Sequence, residues 1–296
     1  MHFHSLGDPE QLFKQYWYLV RPVGIDRLPS LTSRQVLNQD GHQTRVIHNV
    51  GSHCLPRFSL ALVQPRLLVI RNYMIDQYKK TALIDVLAVL ATLVVVKQVL
   101  LPFSQLLAGP ASTTSAMVVA TALLWRRQRT WHELGMRWRV GVKSSVIYTA
   151  LAFFVIIITA TLSKELATHL FGVKTGSGRF DFVVGNPYGY LLVMALVWTH
   201  SAIFEEMLFR AFLIGRGSEI LGGGRWAGVI VLITMSVFFG YRHFYYQGLH
   251  GALVTGAIGC SIGIMYLWFG RRNLLPLIIA HGLVNSISQT QRFLGV

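Results

Sequence analysis

Beyond residue 81 the chain is a succession of apolar runs separated by short polar breaks. Each run is about 20 residues long, which is what a helix rising 1.5 Å per residue needs to cross about 30 Å of hydrocarbon. The pattern predicts helices over 82–101, 105–125, 143–162, 188–221, 226–246, 250–269 and 274–291. The breaks carry turn chemistry: Pro102, Gly109-Pro110, Asn186-Pro187, Gly222-Gly223-Gly224 and Gly270-Arg271-Arg272-Asn273. Helix-length runs throughout point to an all-α fold, a polytopic transmembrane helical bundle of about seven spans.

Residues 1–73 depart from this pattern. They hold His2, His4, His42, His48 and His53 and no long apolar run, and Pro65 and Arg66 interrupt the partly apolar stretch 58–70. The histidines lack the Cys/His spacing of a metal site. Met1-His2-Phe3-His4 lacks the basic n-region and apolar h-region of a signal peptide. Met74, followed by Ile75-Asp76-Gln77-Tyr78-Lys79-Lys80 and then an apolar run, reads like a membrane-protein start. The expected organisation is a poorly ordered extension over 1–73, three spans with their loops over 74–187, and a functional helical core over 188–296.

Composition sharpens the class. Charged residues make up 13% of the chain and hydrophobic ones 53%, against about 25% charged in soluble domains. Only Cys54 and Cys260 are present, too few for a disulfide scaffold. The formal charge of +15 fits cytoplasmic loops and anionic lipid head groups better than nucleic acid, since no RNA-binding aromatic–basic module occurs. Arg126, Arg127, Arg129, Arg137, Arg139 and Lys143 fall in one loop, and Arg216, Arg225, Arg271 and Arg272 flank two others on the same side. The expected topology has a cytoplasmic N-terminus and an external C-terminus, in the plasma membrane of a prokaryote.

A polar group at the centre of a span costs roughly 2.5–3.5 kcal/mol on insertion scales, so three clusters need explaining. In Phe204-Glu205-Glu206-Met207-Leu208-Phe209-Arg210, α-helical spacing puts Glu206 and Arg210 on one face at i,i+4. Glu205 lies about 100° round the helix with no cation at i+4. In Phe238-Phe239-Gly240-Tyr241-Arg242-His243, Phe239 and His243 share a face and Gly240 permits close backbone approach. In Ala280-His281-Gly282-Leu283-Val284-Asn285, His281 and Asn285 share a face. The hairpin apex near Gly223 lies 18 residues after Glu205 and 20 before His243, so both sit about 27–30 Å from it. His281 fits this depth less well, being only about 10 residues past Arg271-Arg272.

Glu205-Glu206-x3-Arg210, Phe239-x3-His243 and His281-x3-Asn285, in this order on three helices, resemble the signature motifs of the CAAX-protease and bacteriocin-processing (CPBP, or Abi) family of intramembrane endopeptidases. The resemblance covers about 188–291, with a weaker echo in Trp131-His132-Glu133-Leu134-Gly135-Met136. It implies hydrolysis of a peptide bond in a membrane-associated peptide or protein. By the resemblance Glu205 is the general base, and His243 helps activate the same water. His281 and Asn285 form the oxyanion hole, while Glu206 and Arg210 orient the site. No cofactor is favoured. The mechanistic rival is zinc held by Glu205, His243 and His281, although His-Glu-x-x-His is absent and His200 stands five residues before Glu205 rather than four.

Two other function classes remain open at this level. One is a non-catalytic bacteriocin self-immunity or membrane partner protein. The other is a proton-coupled transporter, against which stands the lack of an internal repeat. The expected partners are the bilayer and a peptide or protein substrate, with no nucleic acid. Asp85 and Lys97 are expected to snorkel or face the bundle, and Cys260 to be a small core residue. Gly256, Gly259 and Gly263 are expected to be helix-packing positions, and His250 to support the site.

Overall fold

The computed structural model describes residues 60–136, 141–172, 178–271 and 273–296, with side chains described from residue 72 apart from Met74. Residues 1–59, most of the extension expected to be poorly ordered, lie outside the described residues. The described elements are helical, with a short 3-10 turn over Asp181–Val183. They are α1 (Leu60–Leu100), α2 (Gln105–Arg126), α3 (Val142–Phe171), α4 (Pro187–Ile220), a long helix over Arg225–Trp268, and α7 (Leu275–Leu294). The long helix breaks at Gly248 (φ 62°, ψ −165°) into two arms, α5 (225–247) and α6 (249–268).

The arms fold back on each other, as the two separate apolar runs predict. A Cβ placed on Gly240 would stand 2.4 Å from the Ala252 carbonyl oxygen and 3.1 Å from the Gly256 Cα. One placed on Gly259 would stand 3.0 Å from the Phe239 ring. The turn needs a positive φ, which glycine adopts without a steric penalty, and the backbones meet because glycines face each other. One placed on Gly263 would stand 2.0 Å from Leu232 Cδ1, so the packing role expected of Gly259 and Gly263 holds.

Five helical segments are long and apolar enough to cross a membrane: Ile75–Leu100, Gln105–Arg126, Val142–Phe171, Pro187–Ile220 and Arg225–Trp268. The chain is an integral membrane protein with an all-α fold. α2 starts at Ser104, whose hydroxyl accepts the Leu107 N–H. α4 starts at Asn186, whose side chain accepts the Tyr188 and Gly189 N–H groups ahead of Pro187. Both caps occupy orphan donors of the first turn. One apolar core joins all seven helices through Val86, Ala116, Ile156, Phe209, Phe239, Ile262 and Ile278.

Several expectations change. α1 begins at Leu60 rather than near residue 82, running through Pro65 and Met74. Pro65 lies close enough to the helix start that it removes a single backbone bond there. With the span beginning at Ile75, Asp85 is well inside it and buried, pairing with Arg216 at 2.6 Å and Arg127 at 3.2 Å. It faces the bundle and does not snorkel. Arg216 also pairs with Glu219, which takes Arg129 at 2.9 Å. Burial pulls Arg129 toward its neutral form, but Glu219, Tyr78 and Glu133 together outweigh this and hold the guanidinium above its ordinary value. His250 does not reach the motif residues: its Nε2 lies 3.2 Å from the Thr168 hydroxyl, tying α6 to α3.

The start of α7 bears on the position of His281. Asn273 and Leu274 are buried, so α7 begins inside the protein rather than at its surface. The segment 131–136 covers that start, with the Gly135 carbonyl accepting the Leu274 N–H and the Leu134 carbonyl accepting the Tyr266 hydroxyl. A helix that starts deeper needs fewer residues to bring His281 to the level of Glu206.

Candidate active site

The helix carrying both glutamates is wound differently from its neighbours. Over Val197–Phe204 and again over Glu206–Ile214, α4 is a π-helix, and at their junction the Glu205 N–H bonds to the His200 carbonyl five residues back. Such winding is rare, and where it occurs it is frequently at functional sites. Its consequence is a change in which residues share a face.

Glu206 is fully buried and holds two partners. Its Oε1 lies 2.8 Å from His281 Nδ1 on α7. Its Oε2 lies 3.2 Å from Arg210 Nε, a charge contact whose angle falls short of a directed hydrogen bond. The i,i+4 pairing expected of Glu206 and Arg210 is therefore present. Arg210 also donates through Nη2 to the Gly259 carbonyl at 3.2 Å and lies 5.2 Å from the Phe239 ring centroid. One ion pair thus ties α4 to α5, α6 and α7. Truncating either member would leave a buried charge without its counter-charge.

Glu205, 5% exposed, faces a different set of groups. Its Oε1 lies 3.8 Å from His200 Nε2, and Arg242, Arg210, Glu206 and the His281 ring are the titratable groups around it. His243 sits on α5 with its ring 4.9 Å from that of Phe239. Its Nδ1 lies 2.9 Å from the Phe239 carbonyl oxygen. A carbonyl can only accept, so in the neutral ring the proton is on Nδ1 and Nε2 carries the lone pair. Phe209 packs edge-on to Phe239 at 4.8 Å, matching α4 to α5 at the height the hairpin arithmetic predicts. Asn285 is half-buried on α7. Beside it an open, mostly apolar groove of about 310 Å³ runs between α4 and α7, lined by Tyr190, Met194, Leu283, Ser286, Ile287 and Leu294.

Sequence reasoning passed over part of this neighbourhood. Arg242 is buried and donates through Nη2 to the hydroxyls of Ser112 (2.9 Å) and Thr113 (3.0 Å) on α2. Lys97, also buried, donates to the Arg242 carbonyl and to the Tyr246 hydroxyl. Arg179 stacks 4.2 Å from the Tyr246 ring centroid. Burial holds Arg179 below its ordinary value, with Tyr246 and then Glu205 opposing. Lys97 faces the bundle, one of the two outcomes expected of it, but nothing in its local sequence points to Arg242 or Tyr246. His200 was set aside because five residues is the wrong spacing in an α-helix.

Among the described residues no three His, Cys, Asp or Glu side chains form a group that could hold a metal ion. The set Glu205, His243 and His281 is split: His281 is turned to Glu206, while Glu205 has His200 beside it. The donor set proposed for zinc does not fit this arrangement.

The three motifs are thus carried by α4, α5 and α7, with Glu206 and His281 in direct contact. Residues 187–287 match the family model described as type II CAAX prenyl endopeptidase Rce1-like. No curated protein and no solved structure was found to match the chain. The matched stretch opens on the first residue of α4 and takes in all the motif residues, through Asn285. Over these residues the chain carries a domain of the Rce1-like type II CAAX prenyl endopeptidase (CPBP/Abi) family, a family of proteases.

Proposed function

We propose that the protein is an intramembrane endopeptidase that hydrolyses a peptide bond of a membrane-associated peptide or protein with a glutamate-activated water. The observation that carries this reading is the unequal treatment of two adjacent carboxylates. Glu206 is held by a hydrogen bond with His281 and an ion pair with Arg210. Glu205 has no hydrogen bond closer than the 3.8 Å contact to His200 among the described residues. A carboxylate held by an ion pair and a ring N–H is built to hold geometry, whereas one without such partners is free to take a proton.

In this reading Glu205 is the general base. The lone pair on His243 Nε2, fixed by the Nδ1 bond to Phe239, accepts a hydrogen bond from the same water. His281 and Asn285 stabilise the tetrahedral oxyanion. Because His281 Nδ1 is taken by Glu206, only Nε2 is left to face the oxyanion. To donate there, the Glu206–His281 pair must hold one proton beyond that shared at Nδ1. Glu206 fixes the ring through Nδ1, and Arg210 anchors Glu206. The proton taken by Glu205 then goes to the leaving amine.

The same proposal places seven crossings in the membrane, because α5 and α6 are separate arms and α7 spans despite its polar face. The N-terminus is cytoplasmic, the basic loops lie on the cytoplasmic side, and Gly248 and the C-terminus lie outside, in a prokaryotic plasma membrane. The deciding experiment compares the protein termini in membranes of cells carrying the wild type or Glu205→Gln. New termini present only with the wild type are expected. Identical sets would refute an endopeptidase.

A further inference from the structure

In an α-helix, His200 and Glu205 would project about 140° apart, five steps of 100°. The π-helical winding of Val197–Phe204 changes this. With the Glu205 N–H bonded to the His200 carbonyl, a residue five places on stands one turn above. His200 Nε2 and Glu205 Oε1 then face each other at 3.8 Å. The winding does for a five-residue spacing what the α-helix does for a four-residue one.

The ring is itself held from another helix. His200 Nε2 lies 3.0 Å from the Thr113 hydroxyl on α2, and its Nδ1 lies 3.3 Å from the Ser201 hydroxyl. Thr113 Oγ1 accepts from Arg242 Nη2 at 3.0 Å. The continuous line Arg242–Thr113–His200–Glu205 therefore starts beside His243 and ends on the carboxylate proposed as the base. α2 lies outside the stretch that matches the protease family, 187–287.

We propose that His200, seated by Thr113, is a positioning residue that holds one oxygen of Glu205 and leaves the other for the water. The inference rests on the endopeptidase reading and adds to it that α2 completes the site. The one N–H on Nε2 meets the Thr113 hydroxyl at 3.0 Å here and is drawn toward the carboxylate, 3.8 Å away, as the site closes. The 3.8 Å gap is long for a hydrogen bond, as contacts at such sites are before substrate closes them. A misplacement of this carboxylate by about 1 Å is worth up to 100-fold in rate.

The test uses the full chain in lipid nanodiscs and a quenched fluorogenic peptide ending in a farnesylated Cys-aliphatic-aliphatic-X sequence. Glu205→Gln is expected to be inactive. His200→Ala should lower kcat by about 10–100-fold with KM within about twofold and with its melting temperature close to wild type. His200→Gln, whose amide can still donate, should recover most of the loss. Thr113→Val should lower kcat and Thr113→Ser should not. Combining Thr113→Val with His200→Ala should add nothing to His200→Ala alone, because both act through one ring. With Glu205→Gln dead, unchanged kcat in His200→Ala, or a loss confined to KM, would overturn the positioning role and leave the protease reading standing. Equal cleavage by wild type and Glu205→Gln would bring down both.

Discussion

The Glu206–Arg210 pair gives the sharpest quantitative expectation. At 3.2 Å, two unit charges attract by about 5 kcal/mol at an effective dielectric constant of 20. Most of that offsets the desolvation of two buried ions, so the pair adds little net stability. Breaking it is another matter. Glu206→Gln leaves Arg210 buried with only the Gly259 carbonyl and the Phe239 face. Arg210→Met leaves Glu206 with His281 alone. Each single substitution should cost about 3–5 kcal/mol. The double variant Glu206→Gln/Arg210→Met should recover at least about 2 kcal/mol of the summed loss, because no charge is stranded. Thermal unfolding in detergent, followed by tryptophan fluorescence at one scan rate, reads this as roughly 2–4 °C per kcal/mol for a unit of this size. Singles within about 2 °C of wild type, or a double variant falling by the full sum, would refute the claim that this pair holds four helices at one point.

Other expectations follow from the same packing. Asp85→Asn weakens its contacts with Arg216 and Arg127 and should cost about 3 kcal/mol in the same unfolding assay; the rate per folded molecule should be unchanged. Gly240→Ala meets the Ala252 backbone at 2.4 Å and should cost about 1–3 kcal/mol. Gly256→Ala, whose added carbon would meet nothing closer than 3.4 Å, should be nearly neutral; equal effects at the two sites would contradict the hairpin geometry. In a background with Cys54 and Cys260 replaced by Ser, a cysteine at Gly248 should react with an impermeant maleimide from outside intact cells. One at Gly223 should react only after permeabilisation, and the reverse pattern would invert the topology.

The sequence alone determined the class of protein, the boundaries of most helices and the residues worth suspecting. Apolar runs of bilayer length are a local property of the chain, and so are the Asn186-Pro187 cap, the glycine turns and the i,i+4 relation of Glu206 and Arg210. The two runs 226–246 and 250–269 were legible for the same reason, whereas the turn at Gly248 and the facing of Gly240 and Gly259 across it came from the structure. Where local reasoning failed, it failed on long-range packing. Nothing near Asp85 in the chain announces Arg216, 131 residues away. Nothing near Leu274 announces that residues 131–136 will cover the start of α7 and so set His281 at the level of Glu206. Above all, the sequence was read with 3.6 residues per turn, and the helix bearing both glutamates does not keep that period. A π-helix gives up favourable backbone geometry, so it persists only where contacts with neighbouring helices outweigh the loss. Here they include Thr113 and Arg210 with its partners. That balance is decided by the assembled bundle, and with it whether His200 meets Glu205 or points away.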